Sequence, residues 1–305
     1  MDILIFVVSM GALIYGADFI IEESEKIALH FNISPFIIGA TLVALGTSLP
    51  EMAVSMSASV QGSGDIAVAN VIGSTIFNIS LVLGAVFLIA KKVSPNRDLF
   101  AMDSAWSLFP ILIFILMSID GKLSISDGIL FLILMGAYLL FLVQSNQVEE
   151  VDADEDKEKF GWAKSLGLLI VGFVFVVGGA DFAIDSAGNI ARDFGVSEWI
   201  IGLFLVAFGT SLPELTVAIK AARANNADMA IGAIIGSNVA NFTMVLGLSS
   251  IINPLNVDLN ANFFDITAAL IVSVMLVFIT ANKLYNKSAG IVLMTVLALV
   301  ILNSF

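Results

Sequence analysis

Hydrophobic residues run along this chain in long unbroken blocks, without the alternation of a strand or the stripe of an amphipathic helix. After a first block from Asp2 to Ile21, further blocks lie near residues 36–60, 66–90, 104–119, 126–144, 165–190, 199–222, 229–252, 262–281 and 288–304. A helix needs roughly 20 residues to cross the hydrocarbon core of a bilayer, so each block predicts one span. The expected fold is an all-α polytopic membrane protein with ten transmembrane helices. The opening block has no basic leader and no small-residue cleavage pattern, and reads as a retained first helix. The one long polar segment, at 145–163, divides the chain into halves at 1–144 and 164–305, each with five spans.

Composition narrows the chemistry. With 59% hydrophobic and 13% charged residues and a mean hydropathy of +1.02, the chain leaves no room for a separate soluble catalytic domain. There is no cysteine and a single histidine, His30. Disulfides, thiolate nucleophiles, zinc-thiolate sites and histidine metal clusters are thereby excluded. Ion chemistry must use oxygen ligands, which suit hard cations such as Na⁺ and Ca²⁺. A net charge of −13 argues against a nucleic-acid partner. The surroundings expected are the lipid bilayer of the cell membrane, and no protein partner is inferable. If the N-terminus lies outside, every Lys and Arg except Lys122 and Arg192 falls on the inner side. That bias places both termini outside and the acidic central segment in the cytoplasm.

The two halves carry copies of one segment. Ser34 to Gly84 aligns without a gap on Ser197 to Gly247, at an offset of 163, and close to half of the positions are identical. The register extends back to Gly16-Ala17-Asp18-Phe19 and Gly179-Ala180-Asp181-Phe182. Five spans per half is an odd number, so the copies insert in opposite directions. Two inverted five-helix repeats are the architecture of secondary transporters, whose substrate site lies near the midplane where the repeats meet.

Within the second span stands Gly46-Thr47-Ser48-Leu49-Pro50-Glu51, and within the seventh Gly209-Thr210-Ser211-Leu212-Pro213-Glu214. Proline removes a helix donor, and both helices are expected to kink and release carbonyls there. A carboxylate at a helix centre costs about 2.5–3.5 kcal/mol on insertion scales. Cations held between Glu51 and Glu214 offset that cost, with the hydroxyls of Thr47, Ser48, Thr210 and Ser211 and the carbonyls of Ala44 and Ala207 completing an oxygen shell. A protonated Glu at a structural kink accounts for either motif alone, but less well for a duplicate in register. A second element, Gly73-Ser74-Thr75-Ile76-Phe77-Asn78, recurs as Gly236-Ser237-Asn238-Val239-Ala240-Asn241. Ser74 with Asn78, and Ser237 with Asn241, share a helical face and present neutral oxygens to the same cavity. The glycines are explained by close helix packing.

GTSLPE followed by GS(T/N)xxN, present twice over ten spans, resembles the prokaryotic sodium/calcium exchangers of the cation/Ca²⁺ exchanger superfamily. The resemblance covers essentially the whole chain. It implies that Glu51 and Glu214 form a Ca²⁺ site with Thr47 and Thr210. It further implies that Ser48, Ser211, Ser74, Ser237, Ala44 and Ala207 contribute to flanking Na⁺ sites, with Asn78 and Asn241 as the central pair. Some prokaryotic relatives and the K⁺-dependent branch carry Asp at the place of Asn241, so the resemblance argues against K⁺ co-transport. The stoichiometry it implies is three Na⁺ for one Ca²⁺. Two ionised Glu balance one Ca²⁺ or two Na⁺, and a third Na⁺ is compensated by oxygen dipoles alone.

The reading is therefore a Na⁺/Ca²⁺ antiporter and not an enzyme, with no catalytic residues and no cofactor. A Ca²⁺/H⁺ antiporter on the same scaffold is the alternative, and a passive cation channel a weaker third. The acidic run Glu149 to Asp156 lacks the Gly and Glu of a calcium-binding loop, with Lys157 and Ala163 in their places, and reads as a solvated linker. Asp18 and Asp181 are expected near the ends of their helices at opposite interfaces. Glu22, Glu23 and Glu25 are expected on a wet loop, His30 at the interface, and Trp106, Trp162 and Trp199 in aromatic belts.

Overall fold

The computed structural model describes residues 1–90, 93–145, 161–193 and 207–303. The acidic run of the linker, Trp199 and the first part of the seventh span lie outside these. In the first half, α1 (Asp2–Phe31) is followed by the broken pair α2 (Pro35–Thr47) and α3 (Leu49–Val60), then α4 (Gly64–Ile89), α5 (Ser104–Asp120) and α6 (Ile125–Gln144). The second half repeats the order with α7 (Trp162–Asp193), the pair α8 (Ala207–Thr210) and α9 (Leu212–Arg223), α10 (Ala227–Ile252), α11 (Phe263–Ala281) and α12 (Lys287–Asn303). Counting each broken pair as one span gives the ten-helix membrane fold.

Burial separates centre from periphery. The apolar window of α10 is 94% buried and that of α4 is 72% buried, against 28% for α1 and α6. Helices α4 and α10 are symmetry mates across the 163-residue offset, and they form the core. The peripheral helices expose Val7, Ile133, Val174 and Phe278. In a bilayer such side chains face lipid, so their exposure is not a packing defect.

Helices approach closely where glycine permits. On α1, a Cβ added to Gly16 would come within 2.7 Å of the Gly172 carbonyl oxygen on α7, and one on Gly172 within 3.0 Å of the Gly16 oxygen. The same logic joins α2 to α10: Gly39 lies against Met229, Gly232 against Phe36 and Gly236 against the Ala40 backbone. Small residues bring helix backbones together in membranes, where van der Waals contact drives association.

Contacts between connecting segments sort them onto two faces, as ten crossings require. On one face, Asn96 and Arg97 donate backbone N–H groups to Asp228, and Arg97 binds Asp103 and Ser145. On the other, β1 (Lys122–Leu123) pairs antiparallel with β2 (Leu255–Asn256), in register Lys122 with Asn256. There too Ser59 donates to the Ser249 carbonyl at 2.6 Å.

Two expectations are corrected. Helix α1 continues beyond Ile21 to Phe31 and ends at Asn32, which adopts the left-handed conformation. The charged stretch there is helical because Glu and Lys are good helix formers, and Glu23, buried instead of lying on a wet loop, pairs with Lys26 at 2.8 Å. Asp18 is consequently well inside its helix, and Asp181 well inside α7. Asp18 accepts a hydrogen bond from Lys220 on α9 at 2.7 Å.

Candidate ion-binding site

Both GTSLPE segments break their helices at the serine. Ser48 between α2 and α3 has φ −83° and ψ 7°, and Ser211 between α8 and α9 has φ −91° and ψ 1°. The first pair bends by 46°. Pro50 and Pro213 occupy the first turn of α3 and α9, where a missing N–H costs nothing. One turn earlier the consequence is larger. The backbone ladder passes from Ser48 N–H on the Ala44 carbonyl to Met52 N–H on the Ser48 carbonyl. It is the Gly46 carbonyl that Pro50 deprives of its i+4 donor, whereas the Ala44 carbonyl, expected to be freed, keeps its helical partner.

Glu51 and Glu214 lie in the first turns of α3 and α9, at the positive end of each helix dipole. They are 0% and 3% exposed. Among the described residues neither forms an ion pair with Lys or Arg. Hydroxyls converge on them from both halves. Ser48 donates across the repeat interface to Glu214 Oε1 at 3.2 Å, Ser237 approaches the same oxygen at 3.5 Å, and Ser74 approaches Glu51 Oε1 at 3.5 Å. Ser237 also reaches the Ala44 carbonyl at 3.4 Å. The Thr47 hydroxyl donates within its own helix to the Val43 and Ala44 carbonyls at 3.1 and 3.3 Å.

Polar groups left without a partner gather here. Seven of the thirteen buried side-chain atoms that lack a hydrogen bond among the described residues belong to the expected set. They are Glu51 Oε2, Glu214 Oε2, Thr210 Oγ1, Ser211 Oγ, Asn78 Oδ1 and both side-chain ends of Asn241. An unsatisfied buried polar group costs about 1–3 kcal/mol, so such a concentration marks a place built for a charged or polar guest. Six of these seven atoms are oxygens, the donors that Na⁺ and Ca²⁺ take.

Two further devices are local. π-helical turns begin at both Asn78 and Asn241, at Asn78–Leu83 and Asn241–Val245. Such turns interrupt the i→i+4 ladder beside the site, as they do at many functional positions. Asn78 Nδ2 donates to Asn238 Oδ1 at 3.1 Å, so the amide that meets Asn78 across the repeat interface is Asn238. Sequence reasoning passed over Asn238, Asn70 and Ser55. Asn238 stands at the repeat position of Thr75, and Asn70 and Ser55 at those of Ala233 and Ala218. The available signal was the departure of one copy from the other. The side chain of Ala207 is not described.

The family model for sodium/calcium exchanger protein matches residues 1–144 and 164–305. The chain belongs to the sodium/calcium exchanger family. A sodium/calcium exchanger of Methanosarcina acetivorans, MaX1, is 30% identical, covering 96% of this chain and 95% of that protein. An uncharacterized membrane protein of Methanocaldococcus jannaschii is 41% identical over 81% of this chain and 80% of its own length. Among solved structures, the sodium-calcium exchanger NCX_Mj soaked with Na⁺ and Sr²⁺ superposes with a TM-score of 0.85 at 36% identity, covering 98% of this chain and 97% of that one. As a member of this exchanger family the chain is a multi-pass cation/Ca²⁺ exchanger, a transporter and not an enzyme. Its substrates are Na⁺ and Ca²⁺, and no cofactor takes part.

Proposed function

We propose that this exchanger moves three Na⁺ against one Ca²⁺ per cycle by alternating access, without K⁺, and that its ions bind between Glu51 and Glu214. The observation carrying this reading is the pair of buried carboxylates, related by the inverted repeat, each with one oxygen unpartnered and neither paired with a basic residue among the described residues. Two negative charges in a low-dielectric site demand about two positive charges. Ca²⁺ supplies them at once and Na⁺ in pairs, so the two substrates exclude one another. Thr47 and Thr210 complete the Ca²⁺ shell, and Ser48, Ser211, Ser74 and Ser237 serve the flanking Na⁺ with the carbonyls of Ala207 and of Ala44, whose oxygen has a second lone pair beside the one that accepts its helical N–H. A hydroxyl donates one hydrogen to a carboxylate and keeps lone pairs for a cation, which suits Ser48 and Ser237 to both tasks.

A third Na⁺ exceeds the carboxylate charge and is held by oxygen dipoles, including Asn78 and Asn241. Each cycle then moves one net charge and feels about 2.3 kcal/mol per 100 mV, favouring Ca²⁺ export from a cell negative inside. Asn241 is neutral. The K⁺-dependent branch of the superfamily that the sequence resembles carries Asp at this place, and the neutral amide supports transport without K⁺. The placement of Lys and Arg supports both termini outside, in the cell membrane, with halves 1–144 and 164–305 joined through a cytoplasmic acidic linker at 145–163.

The test is radioactive Ca²⁺ uptake into proteoliposomes loaded with Na⁺, compared with vesicles carrying only a pH gradient, at clamped potentials. Uptake that follows the Na⁺ gradient, ignores protons and K⁺ and responds to voltage is expected. Uptake driven by the pH gradient alone overturns the reading in favour of Ca²⁺/H⁺ exchange.

A further inference from the structure

The inverted repeat makes Glu51 and Glu214 equivalent in sequence, but their surroundings differ. On α4, Asn70 Nδ2 donates to the Glu51 backbone carbonyl at 3.2 Å and to Ser55 Oγ at 2.9 Å. Ser55 lies one turn beyond Glu51 on α3 and is fully buried. One amide thus clamps two successive turns of the helix that begins beside the site. In the second half the corresponding residues are Ala233 and Ala218, both buried alanines without a polar side chain. Further along α3, Ser59 donates to the Ser249 carbonyl and the Asn253 amide donates to the Ser59 carbonyl, whereas Ala222 stands at the matching place on α9. The Glu51 backbone is held by its neighbours. Among the described residues the Glu214 backbone lacks these contacts, and its carboxylate is instead approached by two hydroxyls, those of Ser48 and Ser237.

We infer that Asn70 is a positioning residue that fixes the Glu51 arm of the ion site, leaving Glu214 as the adaptable arm, and thereby sets the preference for Ca²⁺ over Na⁺. The inference rests on the proposed binding of ions between the two carboxylates. A divalent ion held by both carboxylates needs them at a set separation. A monovalent ion held mainly by one carboxylate and hydroxyls tolerates movement of the other. Asn70 touches the backbone of Glu51 and not its carboxylate, so its effect is on the placement of the ligand.

The experiment measures Ca²⁺ and Na⁺ half-saturation of exchange in proteoliposomes, and Ca²⁺ binding by calorimetry in detergent, for the wild type, Asn70→Ala and Ser55→Ala. Asn70→Ala is expected to raise Ca²⁺ half-saturation about five-fold, the equivalent of one neutral hydrogen bond, with a smaller change for Na⁺ and little change in maximal rate. Ser55→Ala removes one of the two acceptors and is expected to shift Ca²⁺ half-saturation in the same direction by less. If Asn70→Ala does not fold, Ser55→Ala carries the test by itself. Unchanged Ca²⁺ half-saturation in folded variants, or equal shifts for both ions, overturns the role of Asn70 while the exchange reading stands. A wild type without Na⁺-driven uptake and without Ca²⁺ binding overturns both.

Discussion

Glu51 and Glu214 are buried carboxylates with which, among the described residues, no basic side chain pairs. The cost is met only by a cation or a proton, so neutralising one residue removes half the charge that binds Ca²⁺. Glu51→Gln and Glu214→Gln are each expected to abolish Ca²⁺ transport while leaving the melting temperature of the purified protein close to or above that of the wild type, because an amide is less costly to bury than a charge. Exchange at the wild-type rate in either variant would remove that residue from the site. Asn241 is the complementary case, fully buried with both side-chain ends unpartnered. Asn241→Asp adds a third carboxylate, and the expected outcome is a changed dependence of Ca²⁺ flux on Na⁺ and K⁺, read by varying each ion alone.

Helices α3 and α9 each begin at a serine kink and carry one carboxylate, yet they are tied to different neighbours. Helix α3 is bound to the core helices α4 and α10 through Asn70, Ser55 and Ser59. Helix α9 is joined to the peripheral helix α1 by the ion pair of Lys220 with Asp18. The repeat mate of Lys220 is Ser57, so α3 has no equivalent cation. The pair is partly exposed, and a pair of that kind contributes at most about 1 kcal/mol to stability. Its influence is expected in the cycle, where it couples the position of α1 to the Glu214 arm. Lys220→Ala and Asp18→Asn should each change the maximal exchange rate more than Ca²⁺ half-saturation, and the swapped double variant Asp18→Lys with Lys220→Asp should recover part of the change. Rates equal to the wild type in both single variants would leave the pair without a role in transport.

Across the whole molecule, the segments on one face are drawn together by Arg97. Its guanidinium binds both oxygens of Asp103 and the backbone and side chain of Ser145, and lies 4.9 Å from the centre of the Phe36 ring. Arg97 therefore links the segment before α5, the end of α6 and the start of α2. Both charges are nearly inaccessible, and burial pushes the Asp103 carboxyl above its ordinary value despite the cation beside it. Removing one partner of a buried pair strands the other, at a cost of about 3–5 kcal/mol. Arg97→Ala is expected to lower the melting temperature clearly in detergent. A shift within error would show the hub to be dispensable.

Much of this protein could be read from its sequence because lipid imposes a simple code. Apolar blocks of spanning length gave ten helices, and a gapless repeat across an odd number of spans gave their inversion. The carboxylates, hydroxyls and amides duplicated at one offset marked the candidate ligands, since polar groups at membrane depth are too costly to keep without a partner or a guest. The limits of the code appear at particular residues. Block length ended α1 at Ile21, because apolar runs register the bilayer and not helix continuation through Glu22 to Lys26. The resemblance implied Asn78 and Asn241 as the central pair, and side-chain reach across the repeat interface brings Asn78 into hydrogen bonding with Asn238. Asn70, Ser55 and Lys220 carried no motif, and their roles depend on which helix lies opposite. Sequence alone determined the spans, the inversion and the chemistry of the candidate ligands, because these follow from burial cost and periodicity. Only the tertiary structure decided which residues meet across the repeats and which carboxylate arm is clamped, because hydrogen bonding between helices depends on their packing in space.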